Sequence, residues 1–396
     1  MKKLLLASAA STLFATSAFS AGHEINIGII LGFTGPIESL TPDMALGAET
    51  ALNEVNESGS LLDGKVLVPV RGDSTCVDAA AASAVAERQI TSDNVAAIMG
   101  ADCSGVTTAI ANNVAIPNGV VMISPSATSP ALSDIEDNGL FFRTSPSDAR
   151  QGQVLADILS DKGITDIAIT YTNNDYGKGL ADSFQAAFEA AGGTVSISAA
   201  HEDGKGDYSA EVGALAAAGS DLLAVFGYVD QGGLGIIQTS LDTGAFDTFV
   251  LGDGMYGVSL TETLGTDLNG TFGTVPGSAG EGAAMLAEMV AADANDPSGP
   301  YVGESYDAAA LIALAIQAGG SADRASIAAN ILSVANAPGE PIMPGELGKA
   351  LQILADGGDI DYVGATGVEL IGPGEAAGSY REYEVVDGEF QDIQIR

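Results

Sequence analysis

The feature that most constrains this chain is an alternation. Short apolar runs rich in Ile and Val recur at 25–31, 66–70, 95–99, 120–123, 166–171, 194–198, 222–226 and 248–251. Between them lie alanine-rich stretches of helical spacing at 43–57, 77–90, 105–114, 151–161, 180–191, 209–218 and 231–241. A brief continuous apolar run suits a strand covered on both faces, and alanine is the best helix former. Strand and helix alternating at this spacing form βαβ units, so the fold class is α/β, with parallel central sheets and helices on both faces. Two such sets, one before and one after 142–151, imply two similar Rossmann-like lobes. After Thr271 the pattern turns mostly helical, through 280–292, 306–318 and 324–334, and it finishes with a strand-like run at 380–386.

Length agrees with two lobes, because 396 residues exceed what one compact core usually holds. With 46% hydrophobic and 17% charged residues the chain is globular rather than disordered. Fourteen Lys and Arg against 52 Asp and Glu give a net charge of −38, which repels nucleic-acid phosphates and anionic headgroups, so nucleic acid is excluded as a partner.

Lys2 and Lys3 precede a mostly apolar run at 4–15, and the small residues Ala18 and Ser20 follow. This order is that of a secretory signal peptide over 1–20, cleaved before Ala21. The run is shorter than the ~20 apolar residues that span a bilayer. No cysteine lies near the cleavage point, so an exported, soluble protein without a lipid anchor is expected. Cys76 and Cys103 are the only cysteines, and in an oxidising compartment they either close one bridge or stay as two buried thiols.

In an open parallel sheet, ligands bind beyond the carboxyl ends of the strands, where helix N-termini supply free N–H groups. Five such loops stand out. Gly100-Ala101-Asp102-Cys103-Ser104 places Ser104 at an N-cap position. Ser124-Pro125-Ser126-Ala127-Thr128 either grips a small anion or forms a proline-bounded turn. Tyr176 and Tyr228 end second-lobe strands, where they stack on a ligand or lie at the surface. Gly252-Asp253-Gly254 offers an acid to an ammonium group or is a solvated turn. Enzyme readings are weaker. The G-x-G-x-x-G at 252–257 lacks a convincing long helix after it, and Ser74 in Gly72-Asp73-Ser74 has only His23 or His201 for a base. No His/Cys cluster has metal-ligand spacing.

Taken in order, Gly32-Phe33-Thr34-Gly35-Pro36, Gly47-Ala48-Glu49, the two cysteines, Ser104, the 124–128 loop, Phe142-Arg143-Thr144, Gln151-Gly152, Asp175-Tyr176-Gly177-Lys178-Gly179 and Asp296-Pro297-Ser298-Gly299-Pro300-Tyr301 resemble the branched-chain amino-acid binding proteins of ABC transporters, which have the type I periplasmic binding protein fold. The resemblance implies a small amino acid, aliphatic or branched-chain, held in a hinged cleft and delivered to a membrane permease. Ser104 and Thr128 would take the ligand carboxylate. Backbone groups at Ser126 would help hold the ammonium end, and Asp253, where relatives more often carry Glu, would pair with it. Tyr176 and Tyr228 would supply second-lobe aromatics, and Cys103 would pair with Cys76 to pin the loop carrying Ser104. Leu40 stands in the side-chain pocket where relatives often carry a bulky aromatic. Crossings near Thr144, Val275 and Gly374 would divide the chain into 21–144 plus 277–374 and 145–276 plus 375–396. A monomer in the periplasm, with no cofactor, no metal and no catalysed reaction, completes the implied picture. Carriage of urea, short amides or another small organic solute, and a ligand-sensing module, are the alternatives.

Overall fold

The computed structural model describes residues 23–396, so the 1–20 signal segment lies outside the described residues. From its start the chain runs β1 (Glu24–Leu31), α1 (Thr41–Ser58), β2 (Val66–Asp73), α2 (Ala79–Thr91), β3 (Ala97–Gly100), α3 (Ser104–Ile110), β4 (Val121–Ser124) and β5 (Phe141–Arg143). It continues through α4 (Asp148–Asp161), β6 (Asp166–Thr172), α5 (Asp175–Ala190), β7 (Thr194–His201), α6 (Ser209–Ala216), β8 (Leu223–Phe226), α7 (Gly232–Thr243), β9 (Phe249–Leu251), α8 (Val258–Leu264) and β10 (Phe272–Pro276). The last part holds α9 (Glu281–Val290), α10 (Val302–Ala318), α11 (Arg324–Ala335), β11 (Glu340–Ile342), α12 (Leu347–Ala355), β12 (Ile360–Tyr362), β13 (Leu370–Ile371), β14 (Glu375–Ala376), β15 (Tyr380–Val386) and β16 (Glu389–Ile395).

Two seven-stranded sheets form two lobes. The first has the order β13-β14-β5-β4-β3-β1-β2 and the second β16-β15-β10-β9-β8-β6-β7. Their central strands repeat one parallel pattern, 5-4-3-1-2 against 10-9-8-6-7. Strand order therefore reverses between β1 and β3 and between β6 and β8, and ligands of open α/β sheets sit at such switch points. The sheets are not parallel throughout: β13 pairs antiparallel with β14, and β15 pairs antiparallel with both β10 and β16.

Four differences from the sequence reading stand out. β10 forms where the pattern reads as the onset of helix, because Gly273 and Pro276 dilute a strand that is buried at every position. β5 is three residues long, too short for periodicity to register. β16 follows β15 through a turn at Asp387 and Gly388, and its exposed face carries too little apolar pattern to announce it. Glu375 pairs with Arg143 in the first sheet, so the third passage between lobes lies at 377–379 rather than at 374.

The three passages lie side by side. Gly277 N–H donates to Ser379 O at 3.1 Å, and Ser379 Oγ donates back to Gly277 O at 2.9 Å. At Gly378, in the left-handed region at φ 58°, a Cβ would come within 2.7 Å of the Pro146 ring. A side chain there would meet both steric and backbone cost.

α10 is buried along almost its whole length, and its run of Ala, Leu and Ile is apolar all round, as a helix inside a core must be. It lies against α1, where a Cβ on Gly47 would stand 2.4 Å from Val302 O. Only glycine allows that approach.

Loops of the first lobe are clamped at the strand ends. Asp102, after β3, accepts from Gly32 N–H after β1 at 2.6 Å and from Ser74 Oγ after β2 at 3.0 Å. A Cys76–Cys103 disulfide joins the loops after β2 and β3 at a sequence separation of 27. Closing a loop of this length contributes about 3 kcal/mol in the chain-entropy view. The Cys76→Ser/Cys103→Ser double variant is expected to lose about that much in urea unfolding; an unchanged midpoint would show that Asp102 holds the loops without the bridge.

His201, at the end of β7, is buried, with Nδ1 2.9 Å from Thr170 Oγ1 and no partner for Nε2. Burial lowers its pKa from 6.5 to about 4. The folded state thus resists a proton that the unfolded chain accepts, so stability falls as pH drops from about 6.5 towards 4. Denaturant unfolding of the wild type against His201→Asn should show a pH-dependent difference approaching about 3 kcal/mol at the acid end.

Candidate functional site

A small cavity of about 20 Å³ lies where the strand ends of the two lobes meet. Ile37, Leu40, Met44, Asp102, Cys103, Ser104 and Ser126 line it from the first lobe, with Tyr301 from the turn before α10. Tyr176, Tyr228, Asp253 and Gly254 line it from the second. The structure therefore brings together Leu40, Cys103, Ser104, Ser126, Tyr176, Tyr228 and Asp253 of the sequence-predicted residues. Thr128 is buried but is not among the lining residues.

Asp253 is 2% exposed and opens a single 3-10 turn directly after β9. It accepts from Tyr176 Oη of its own lobe at 2.9 Å and from Tyr301 Oη of the other lobe. Tyr176 Oη in turn accepts from Gly254 N–H at 3.0 Å. Burial raises the Asp253 pKa, and the hydrogen bonds from Tyr301 and Tyr176 oppose that rise. Burial also raises the pKa of both phenols, which stay neutral donors.

Tyr176 and Tyr228 are buried and stack on one another with centroids 5.2 Å apart and planes at 21°, so neither is a surface side chain. Asn174 caps α5 by accepting from Gly177 N–H, and its amide donates to Tyr228 Oη at 3.3 Å, which ties the stack to the helix start.

Ser104 is not an N-cap. Cys103 holds that position, and Ser104 is the first residue of α3. Its Oγ accepts from Ser129 N–H at 3.1 Å, leaving its own hydroxyl hydrogen for a ligand acceptor. Ser126 Oγ donates to Asp102 O at 3.1 Å.

A buried guanidinium orders the 124–133 loop. Arg143, 1% exposed, donates through Nη1 to Ala127 O and Ser129 O, through Nη2 to Ser133 Oγ and Glu375 Oε2, and through Nε to Glu375 Oε2. All five of its N–H groups are thereby committed.

Direct interlobe contacts add to the Tyr301–Asp253 bond. Asp230 N–H donates to Pro36 O at 3.0 Å, and Asp230 Oδ2 accepts from Ser39 N–H at 2.8 Å.

The two motifs weighed as enzyme signals lie apart from the partners each would need. Ser74 is bonded to Asp102, while His201 lies in the second lobe against Thr170. The 252–257 glycine motif leads into a 3-10 turn and the seven-residue α8, not into the long helix of a dinucleotide site. Among the described residues, no three His, Cys, Asp or Glu side chains cluster as metal ligands.

Sequence reasoning passed over Tyr301, Asp102, Ile37 and Met44. Tyr301 ends the 296–301 motif, Asp102 directly precedes Cys103, and Met44 lies one helical turn beyond Leu40.

The family model described as periplasmic binding protein matches residues 24–349. A Leu/Ile/Val-binding protein homolog 3 of Brucella melitensis biotype 1 is 32% identical over 277 residues, covering 68% of this chain and 71% of that one. Among solved structures, a leucine-binding protein LivK from Thermotoga maritima superposes with a TM-score of 0.78 at 22% identity, covering 94% of this chain and 98% of that one. A branched-chain amino-acid transporter substrate-binding protein LivJ from Streptococcus pneumoniae, in complex with isoleucine, gives 0.76 at 21% identity, covering 94% and 99%. The chain belongs to the periplasmic binding protein family, has its type I fold of two α/β lobes, and is related to the Leu/Ile/Val-binding proteins.

Proposed function

We propose that this protein is the periplasmic substrate-binding component of an ABC transporter, capturing an aliphatic or branched-chain amino acid between its lobes and handing it to a membrane permease. It catalyses no reaction, needs no cofactor and acts as a monomer. The observation that carries this reading is Asp253. It is a carboxylate buried at the lobe interface, held by one tyrosine hydroxyl from each lobe and facing the hydroxyls of Ser104 and Ser126 across the cavity.

Such a site matches a zwitterion. A buried charge left without a partner costs several kcal/mol, so both ends of the ligand need partners. Asp253 takes the ammonium group, while Ser104 with the buried hydroxyl of Thr128 takes the carboxylate. Leu40, Ile37 and Met44 give an apolar wall for an aliphatic side chain. The relative from Brucella carries Leu/Ile/Val-binding in its name, and the Streptococcus neighbour holds isoleucine. Both support the ligand class.

A cavity of about 20 Å³ has room for about one water. Entry of an amino acid therefore requires the lobes to part and the Tyr301–Asp253 bond to break. The ligand ammonium then replaces a tyrosine hydroxyl on Asp253, and contacts to both lobes favour closure. Closure is what the permease reads. The two lobes of this reading are 21–144 with 277–376, and 145–276 with 377–396.

The test is a thermal-shift screen of refolded, ligand-stripped protein across amino acids, amides, polyamines and small acids. Neutral aliphatic amino acids should raise Tm. Asp253→Ala should weaken binding by about 2–5 kcal/mol, roughly 30-fold or more, and abolish the shift at modest ligand concentration. A shift with amides or simple acids and none with amino acids would overturn the ligand assignment.

A further inference from the structure

We propose that Asp148 is a protonated, neutral acid at neutral pH, and that it acts as a positioning residue which turns the Thr128 hydroxyl toward the ligand cleft. Asp148 opens α4 just past the first interlobe passage and is 0% exposed. Neither of its carboxyl oxygens has a hydrogen-bond partner. Its backbone N–H donates to Thr128 O at 2.9 Å, which fixes the two residues side by side. Thr128 Oγ1 is likewise buried without a partner.

An ionised carboxylate cannot persist in this place. Arg143 is the nearest buried cation, and every one of its N–H groups serves Glu375, Ser133 or the carbonyls of Ala127 and Ser129. Arg150, two residues on, is exposed. The other ionisable groups facing Asp148 are Asp253, Tyr176, Tyr301 and Tyr380. All three phenols are pushed above their ordinary range by burial and stay neutral, and Asp253 is a like charge. Burial first, and the Asp253 charge second, raise the Asp148 pKa well above its usual value, against smaller opposing effects of Thr128 and Arg143.

A protonated acid changes what Thr128 offers. With the proton on Asp148, Thr128 is the side chain placed to receive it, and bringing the two into hydrogen-bond range would leave the threonine hydrogen to point at a ligand carboxylate. An ionised Asp148 would draw that hydrogen to itself and place a negative charge beside the carboxylate end of the ligand. The proton also leaves Asp253 as the only charged acid of the pair, matching one ammonium group. The role assigned to Thr128 rests on the amino-acid reading; the protonation of Asp148 does not.

The experiment has three arms on the full-length mature chain. In ligand-free protein at pH 7, infrared difference spectroscopy of the wild type against Asp148→Asn should show a buried protonated carboxyl band in the wild type alone. Asparagine imitates the neutral acid, so Asp148→Asn should raise Tm at pH 7, with the gain vanishing towards about pH 4, where the unfolded aspartate is protonated too. The sign follows because a raised folded pKa gives stability that is present below the unfolded pKa and lost as pH rises. Leucine affinity by calorimetry should fall about tenfold in Asp148→Leu, which leaves Thr128 Oγ1 without a donor, and return to within about threefold of the wild type in Asp148→Asn, whose amide supplies one. No carboxyl band, or a Tm gain that does not depend on pH, overturns the protonated state. A loss of leucine affinity of roughly 30-fold or more in Asp148→Asn with the band present overturns the positioning role, since it would make Asp148 a charged anchor once ligand is bound. If the wild type itself binds no amino acid, the function reading fails while the first two arms still decide Asp148.

Discussion

A carboxylate taken out of water must find donors, and at Asp253 those donors come from two different lobes. Tyr176 is local, carried on the first turn of α5. Tyr301 belongs to the other lobe, so the bond it makes exists only while the lobes are together. On the proposed function, the same carboxylate satisfies the protein when the cleft is shut on itself and an ammonium group when a ligand lies inside. Competition between a phenol and an ammonium for one acid is then the physical core of the proposed site. A charge-assisted hydrogen bond to a cation is stronger than one to a neutral hydroxyl, which sets the direction of the exchange.

Much of the first lobe serves to hold loops still around that exchange. Asp102 and the Cys76–Cys103 bridge join the ends of β1, β2 and β3, and Arg143 joins the 127–133 segment to β5 and β14. A buried guanidinium whose donors are all engaged is costly to assemble and costly to disturb, because removing any acceptor leaves part of a charge unpaired. Its backbone acceptors also explain why the 127–129 stretch keeps one shape without regular secondary structure.

The alternation of apolar strands with alanine-rich helices made the α/β architecture and most of the parallel core legible from sequence, since a doubly covered strand has few ways to look polar. β10 was not legible, because Gly273 and Pro276 dilute its apolar run and only its place between β9 and β15 makes it a strand. Of the eight residues named from the sequence, seven line the cavity, because they occupy loops that follow strands, where topology gathers them. Tyr301 and Asp148 lie at helix starts beyond a passage between lobes, and no strand-end rule reaches them. Ser104 shows a subtler limit: its place at the head of α3 was readable, but whether Ser104 or Cys103 caps the helix depends on backbone angles that sequence does not carry.

The three passages between lobes, lying against one another at Pro146, Gly277 and Gly378–Ser379, do more than connect. Three parallel tethers gathered in one band suppress sliding and twisting and leave bending about that band. Such a band favours hinge bending over other relative motions of the lobes. On the proposed function, a permease that senses closure then has chiefly one angle to read, and any ligand that draws Asp253 and Ser104 to the same separation sets the same angle, whatever its side chain.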